Sequence, residues 1–160
     1  QDTTVPERQG GRMQPRLDLL TLAVPDLDAA RTFYVDGLGW TPALDVPGEI
    51  IFLQLNHGLL IGLFGAGDLA VDMGVTPDTV VPGGGFTLAH NVSGEDEVRR
   101  VLEQAERAGA CIVKPAQQAA FGGFHGYFTD PSGIRWEVAW NPGWRVEADG
   151  SVHIGPVDQP

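Results

Sequence analysis

The residues of this chain that could do chemistry are four histidines, a single cysteine, three serines and one glutamate set inside an apolar stretch. His57, His90, His125 and His153 are not spaced as a local chelate, such as the pair one turn apart that grips a metal from a helix face. His57 stands in Asn56-His57-Gly58 and His153 in the tail, so both read as solvated. His90 alternates with Phe86, Leu88 and Val92 and reads as a satisfied core histidine. His125 lies in FGGFHGY, a glycine-rich aromatic loop where backbone could approach a ligand closely. Its two readings are a plain turn and a place on a pocket rim.

Glu137 is the acid of IRWEVAW. Strand alternation sends Trp136, Val138 and Trp140 to one face and Arg135, Glu137 and Ala139 to the other. A lone buried carboxylate is costly, so Glu137 needs either a partner or a task. Arg135 is the nearest candidate partner. The task would be that of a general base, or of a carboxylate receiving a cationic or hydrogen-bonding ligand.

Other chemistry lacks support. Cys111 is the only cysteine, which rules out an internal disulfide and leaves a reduced structural thiol. Ser93, Ser132 and Ser151 fall in cap, turn and tail positions. Gly83, Gly84 and Gly85 lack the lysine and helix start of a phosphate loop. Ten Lys and Arg against 21 Asp and Glu give a net charge of −11, a field that repels nucleic acid and anionic membranes and attracts cations, although acidity also serves solubility alone. With 42% hydrophobic and 19% charged residues, 160 residues suit one globular core. No apolar run approaches the roughly 18 residues of a membrane span, and residues 1–16 lack a secretory apolar stretch, so a cytoplasmic location is expected.

The elements that must position these residues follow a repeated order. Residues 17–24 form an apolar run suited to a strand buried on both faces. Asp26 caps a helix with Leu27, Ala30, Phe33 and Tyr34 on one stripe, and Gly37 supplies a left-handed stop. Strands at 40–44, 50–55 and 59–64 come next, joined by turn residues. The same order restarts at residues 86–92. Ser93 and Asp96 make a capping box, Glu95–Arg99, Asp96–Arg100 and Glu103–Arg107 are favourably ordered pairs, and Val98, Val101, Leu102, Ala105 and Ala108 form an apolar stripe ending at Gly109. Strands at 111–115, 126–129 and 134–140 complete it, the last two joined by Asp130-Pro131-Ser132-Gly133. A short helix at 68–73 precedes a Pro- and Gly-rich linker.

Duplicated strand-helix-strand-strand-strand modules, with LTLAVPDLDAARTFYVDGLGW opening the first and GYFTDPSGIRWEVAWNP closing the second, resemble the vicinal oxygen chelate superfamily over residues 17–142. This is the group of glyoxalases, bleomycin-resistance proteins and extradiol dioxygenases. The resemblance implies an α+β fold of two tandem βαβββ modules, forming a cleft of curved mixed sheet with the helices outside. The chain then divides into a flexible extension at 1–16, modules at 17–65 and 85–142, a linker at 66–84 and a tail at 143–160.

The resemblance also implies four metal-ligand positions, on the first and last strands of each module. They fall at Leu19, Gly62, Thr87 and Glu137, of which only Glu137 is a competent ligand. A catalytic divalent site needs about three protein ligands, so no cofactor is expected, a divalent metal being the alternative. The leading expectation is a small-molecule binding or sequestering protein, with Phe52, Gln54, Phe121, Phe124, Tyr127, Arg135 and Trp144 lining the site, a cationic ligand favoured by the field, and a homodimeric state. The alternative is a lyase, isomerase or dioxygenase that uses Glu137 as base or metal ligand, with His125 as a second catalytic group.

Overall fold

Each half of the chain folds as a four-stranded mixed sheet with a helix laid across one face. The computed structural model describes residues 13–156, so the expected extension lies mostly outside the described residues. In the first half β1 (Leu19–Val24) runs parallel to β4 (Leu60–Gly65), and β3 (Ile50–Gln54) joins β4 to β2 (Pro42–Val46), in the order β1-β4-β3-β2. The second half repeats this with β5 (Leu88–Asn91), β8 (Arg135–Trp140), β7 (Phe124–Thr129) and β6 (Cys111–Gln118), in the order β5-β8-β7-β6. The duplication expected from the sequence is present strand for strand.

β1 departs from the expectation of two buried faces. Leu22 and Val24 are buried, but Leu19 is 40% exposed, because the helices cover only one side of the sheet. The covered sides of both sheets form one apolar cluster that includes Leu22, Ile51, Leu63, Phe128 and Val138, with Phe33, Tyr34 and Leu102 from the helices.

The first helix starts where its cap residue says it should. Asp26 Oδ1 accepts from the Ala29 amide at 3.0 Å, and α1 (Leu27–Arg31) continues as a π-helical turn over Thr32–Gly37. Gly37 does not take the left-handed conformation; Gly39 does, with φ of 75°. Gly37 is small for another reason. A Cβ there would lie 2.6 Å from the Cβ of Ala108, at the end of α3 (Glu95–Ala108), so the glycine lets the helices of the two halves touch.

α3 ends at Gly109, whose φ of 114° needs glycine. Its start differs from the expected capping box. Asp96 does not close it; Glu97 Oε2 accepts from both the Ser93 hydroxyl and the Ser93 amide, at 2.6 and 2.9 Å, and these bonds, the hydroxyl first, lower the Glu97 pKa. Asp96 pairs with Arg99 rather than Arg100, and among the described residues no ion pair joins Glu103 to Arg107. Between the halves, α2 (Ala66–Met73) and a 3-10 turn at Pro77–Thr79 occupy the linker.

A polar knot ties the halves inside this core. The Tyr34 hydroxyl donates to Asp130 Oδ2 at 2.6 Å and accepts from Trp136 Nε1 at 3.0 Å. Asp130 Oδ1 takes the Ser132 and Ile134 amides, both at 2.9 Å, which folds the expected Asp130–Gly133 turn. Burial holds the Asp130 pKa above the usual carboxylate range despite these bonds, so the site retains its proton more readily than a surface acid. The tail, which shows no strand pattern in its sequence, forms a hairpin of β9 (Trp144–Val146) and β10 (Val152–Ile154).

Candidate functional site

The β7–β8 ladder sets the site on the sheet face away from the helices. Tyr127 lies opposite Glu137, His125 opposite Ala139, and Thr129 opposite Arg135. Directly opposed residues in an antiparallel pair share a face, so all six side chains emerge on one side. His125 then leans along the diagonal, and its Nδ1 meets Glu137 Oε2 at 2.7 Å. An ionised carboxylate can only accept, so the proton of this bond belongs to Nδ1.

The pair is held on several sides. The Phe121 ring meets the His125 ring edge-on at a centroid distance of 5.5 Å, and Tyr127 does the same from the other neighbour at 5.6 Å. His125 is only 8% exposed. Among the described residues no group bonds its Nε2, and that atom is not sealed from solvent. Burial first, then the neighbouring Glu137, hold the Tyr127 phenol above its ordinary pKa.

Several expectations change here. Glu137 pairs with His125, not with Arg135, because the diagonal brings the imidazole within bonding distance while Arg135 lies two residues back along the same strand. His125 belongs to β7 rather than to a loop. Phe124 sits on the opposite face, buried in the core beneath the Arg99 guanidinium, which lies 4.7 Å from its ring centre. His90 faces the helices as expected but is exposed, lining a cavity of about 90 Å³ with Trp40, Val101 and Trp136. His57 and His153 are exposed.

The first half carries no counterpart of the pair. By ladder position Gly62 corresponds to Glu137 and Phe52 to Tyr127, since Phe52 lies opposite Gly62 as Tyr127 lies opposite Glu137. The Phe52 ring covers Gly62 so closely that a Cβ at that glycine would stand 3.1 Å from it. Gln54 turns its amide to the carbonyls of Asn56 and Leu59 and tightens the β3–β4 turn. Trp144 is exposed in the hairpin and has no ring contact with the site among the described residues. The cavity of about 90 Å³ and another of about 200 Å³ between β1, α2 and residues 80–86 both lie away from His125 and Glu137.

Residues 16–138 match the model of the Glyoxalase/Bleomycin resistance protein/Dioxygenase superfamily. The chain belongs to that superfamily. A glyoxalase-related enzyme from Fulvimarina pelagi is 39% identical, with 89% of this chain and 99% of that one covered and a TM-score of 0.78. A superfamily protein from Nocardioides (24% identity, 82% and 86% covered, TM-score 0.67) and lactoylglutathione lyase from Agrobacterium tumefaciens (21%, 80% and 95%, TM-score 0.61) share the fold. Comparison with curated proteins finds no match.

The metal that glyoxalase relatives imply does not fit the residues present. Leu19 and Gly62 offer no donor, Phe52 covers the place of Gly62, and Thr87 offers only a hydroxyl. Among the described residues no group of three or more His, Cys, Asp and Glu side chains could hold an ion. Glu137, the one competent ligand of the superfamily set, is bonded to His125.

Proposed function

We propose that the protein binds a small organic molecule on the face carrying His125 and Glu137, without the superfamily's metal ion. The 2.7 Å bond between the two side chains carries this reading. It commits the one competent ligand of the superfamily positions to a histidine and leaves the other imidazole nitrogen as an open polar group of the face. Phe121 and Tyr127 meet the imidazole ring edge-on, giving the mixture of aromatic walls and a few placed polar groups that small-molecule sites use.

Native mass spectrometry of freshly purified protein, combined with metal analysis, tests this. Bound small molecule should survive dialysis against a chelator, and His125→Ala and Glu137→Gln should each release it. A transition metal retained at one equivalent per chain through that dialysis would end the proposal.

A second reading, catalysis by proton transfer, is favoured by one observation. A carboxylate on Nδ1 fixes the imidazole tautomer and aims Nε2 outward, the arrangement of a general base or acid. The 39% identity to a protein described as a glyoxalase-related enzyme supports keeping it. Deuterium uptake from D2O into an enolisable ketone, stimulated by the protein and lost in His125→Ala, would establish it. No stimulation across a panel of such ketones would leave binding alone.

A further inference from the structure

The molecule as a whole is acidic, yet the site face sets an arginine beside its one acid, Glu137. Arg135 emerges on the same face as Glu137, two residues away on β8, and opposite Thr129. Among the described residues it makes no ion pair, although the chain has 21 acidic side chains against 10 basic ones. Of the seven described arginines, Arg16, Arg31, Arg99 and Arg145 each find a carboxylate within 4 Å, whereas Arg100, Arg107 and the exposed Arg135 do not, and of these three only Arg135 stands on the site face. The acid best placed for Arg135 is Glu137, and His125 takes it.

We infer that the ligand is an amphipathic anion, an organic carboxylate whose charged group is received by Arg135 and whose body reaches the His125 Nε2. This rests on the reading of that face as a small-molecule site and names the ligand's chemical class. Beside Glu137 the face presents two hydrogen-bond donors, the Arg135 guanidinium and the Thr129 hydroxyl, while the Tyr127 phenol is turned to Glu137. A carboxylate is the group such a set receives, and a guanidinium receives it through two parallel bonds. Residues two apart on a strand are separated by about 6.5–7 Å, so a ligand of a few bonds spans from Arg135 past Glu137 toward His125. Phe121 and Tyr127 supply the apolar flank for its body.

Local and global charge oppose each other here, and range decides between them. Exposed charges separated by more than about 8–10 Å are screened at ordinary salt, whereas an Arg–carboxylate contact is not. The net −11 therefore slows the approach of an anion more than it weakens the bound contact.

Calorimetric titration of the full chain with benzoate, phenylacetate and hexanoate, beside the matching amides and benzylammonium, tests the inference. At least one carboxylate should bind at least about tenfold more tightly than its amide, and Arg135→Ala should remove that preference while Arg145→Ala, on the hairpin, keeps it. The preference should also survive 0.3 M salt. Equal binding of acid and amide, tighter binding of benzylammonium, no binding of any carboxylate, or an unchanged preference in Arg135→Ala would each overturn it. Charge-independent binding lost in His125→Ala would leave the small-molecule site standing and remove only the anion.

Discussion

His125 reaches Glu137 along a ladder diagonal, and that geometry sets what each substitution does. His125→Ala leaves a partly buried carboxylate without its donor and should lower stability by about 1–3 kcal/mol, read from urea unfolding. The chain has two tyrosines, and both phenols hold their protons beyond the ordinary 10.0, Tyr34 well beyond it, with burial as the first cause in each. A raised native pKa means that the unfolded chain ionises first as pH rises. The stabilisation is therefore whole below pH 10 and is lost as pH climbs past 10 through the raised values. Phenolate absorbance near 295 nm should rise around pH 10 in denaturant and remain low in the native protein at the same pH. The placement of Glu137 on the free face was legible in the sequence because alternation alone dictates it. Its pairing with His125 was legible in principle, by counting back from the Asp130–Gly133 turn through the pairs 129–135, 127–137 and 125–139. The glycines of FGGFHGY hid it by reading as loop. Gly123 and Gly126 are in fact small because backbone or side chains crowd them, Trp140 O at one and Leu102 with Lys114 O at the other.

Among the elements, the junction of the π-helical turn with α3 is the most exacting. Gly37→Ala would press a methyl group into Ala108, at an overpacking cost of about 1–3 kcal/mol, and Ala108→Gly in the same chain should recover part of it. Thermal unfolding of the single and double variants measures this, and simple additivity of the two losses would mean the contact is not the cause. Asp26, Gly109 and the 130–133 turn were readable because each acts on its own neighbours within four residues. The reason for Gly37 lies 71 residues away, at Ala108, where only tertiary packing can place it. The strand boundaries slipped by one to three residues for the same local cause, since apolar runs do not mark where a ladder stops. The hairpin of β9 and β10 escaped notice because its strands are three residues long and exposed.

The repeat itself was the clearest statement the whole molecule made in its sequence, because two copies of one order confirm each other. The asymmetry between the copies, with a phenyl ring over Gly62 in one and the histidine–glutamate pair in the other, arises only from tertiary packing. No residue of the 143–156 segment joins the buried cluster. Ending the chain at Pro142 should accordingly change unfolding free energy by no more than about 0.5 kcal/mol, a limit that urea titration of the shortened chain checks. The single cluster shared by both halves has a different outcome for the connection that joins them. That stretch buries Ala70 and Gly83 but carries an exposed turn at Pro77–Thr79. Protease nicking there would yield two peptides that are each only half a solvent-proof object, and the tyrosine–aspartate knot would serve as the recognition mark by which mixed fragments find one another and reassemble.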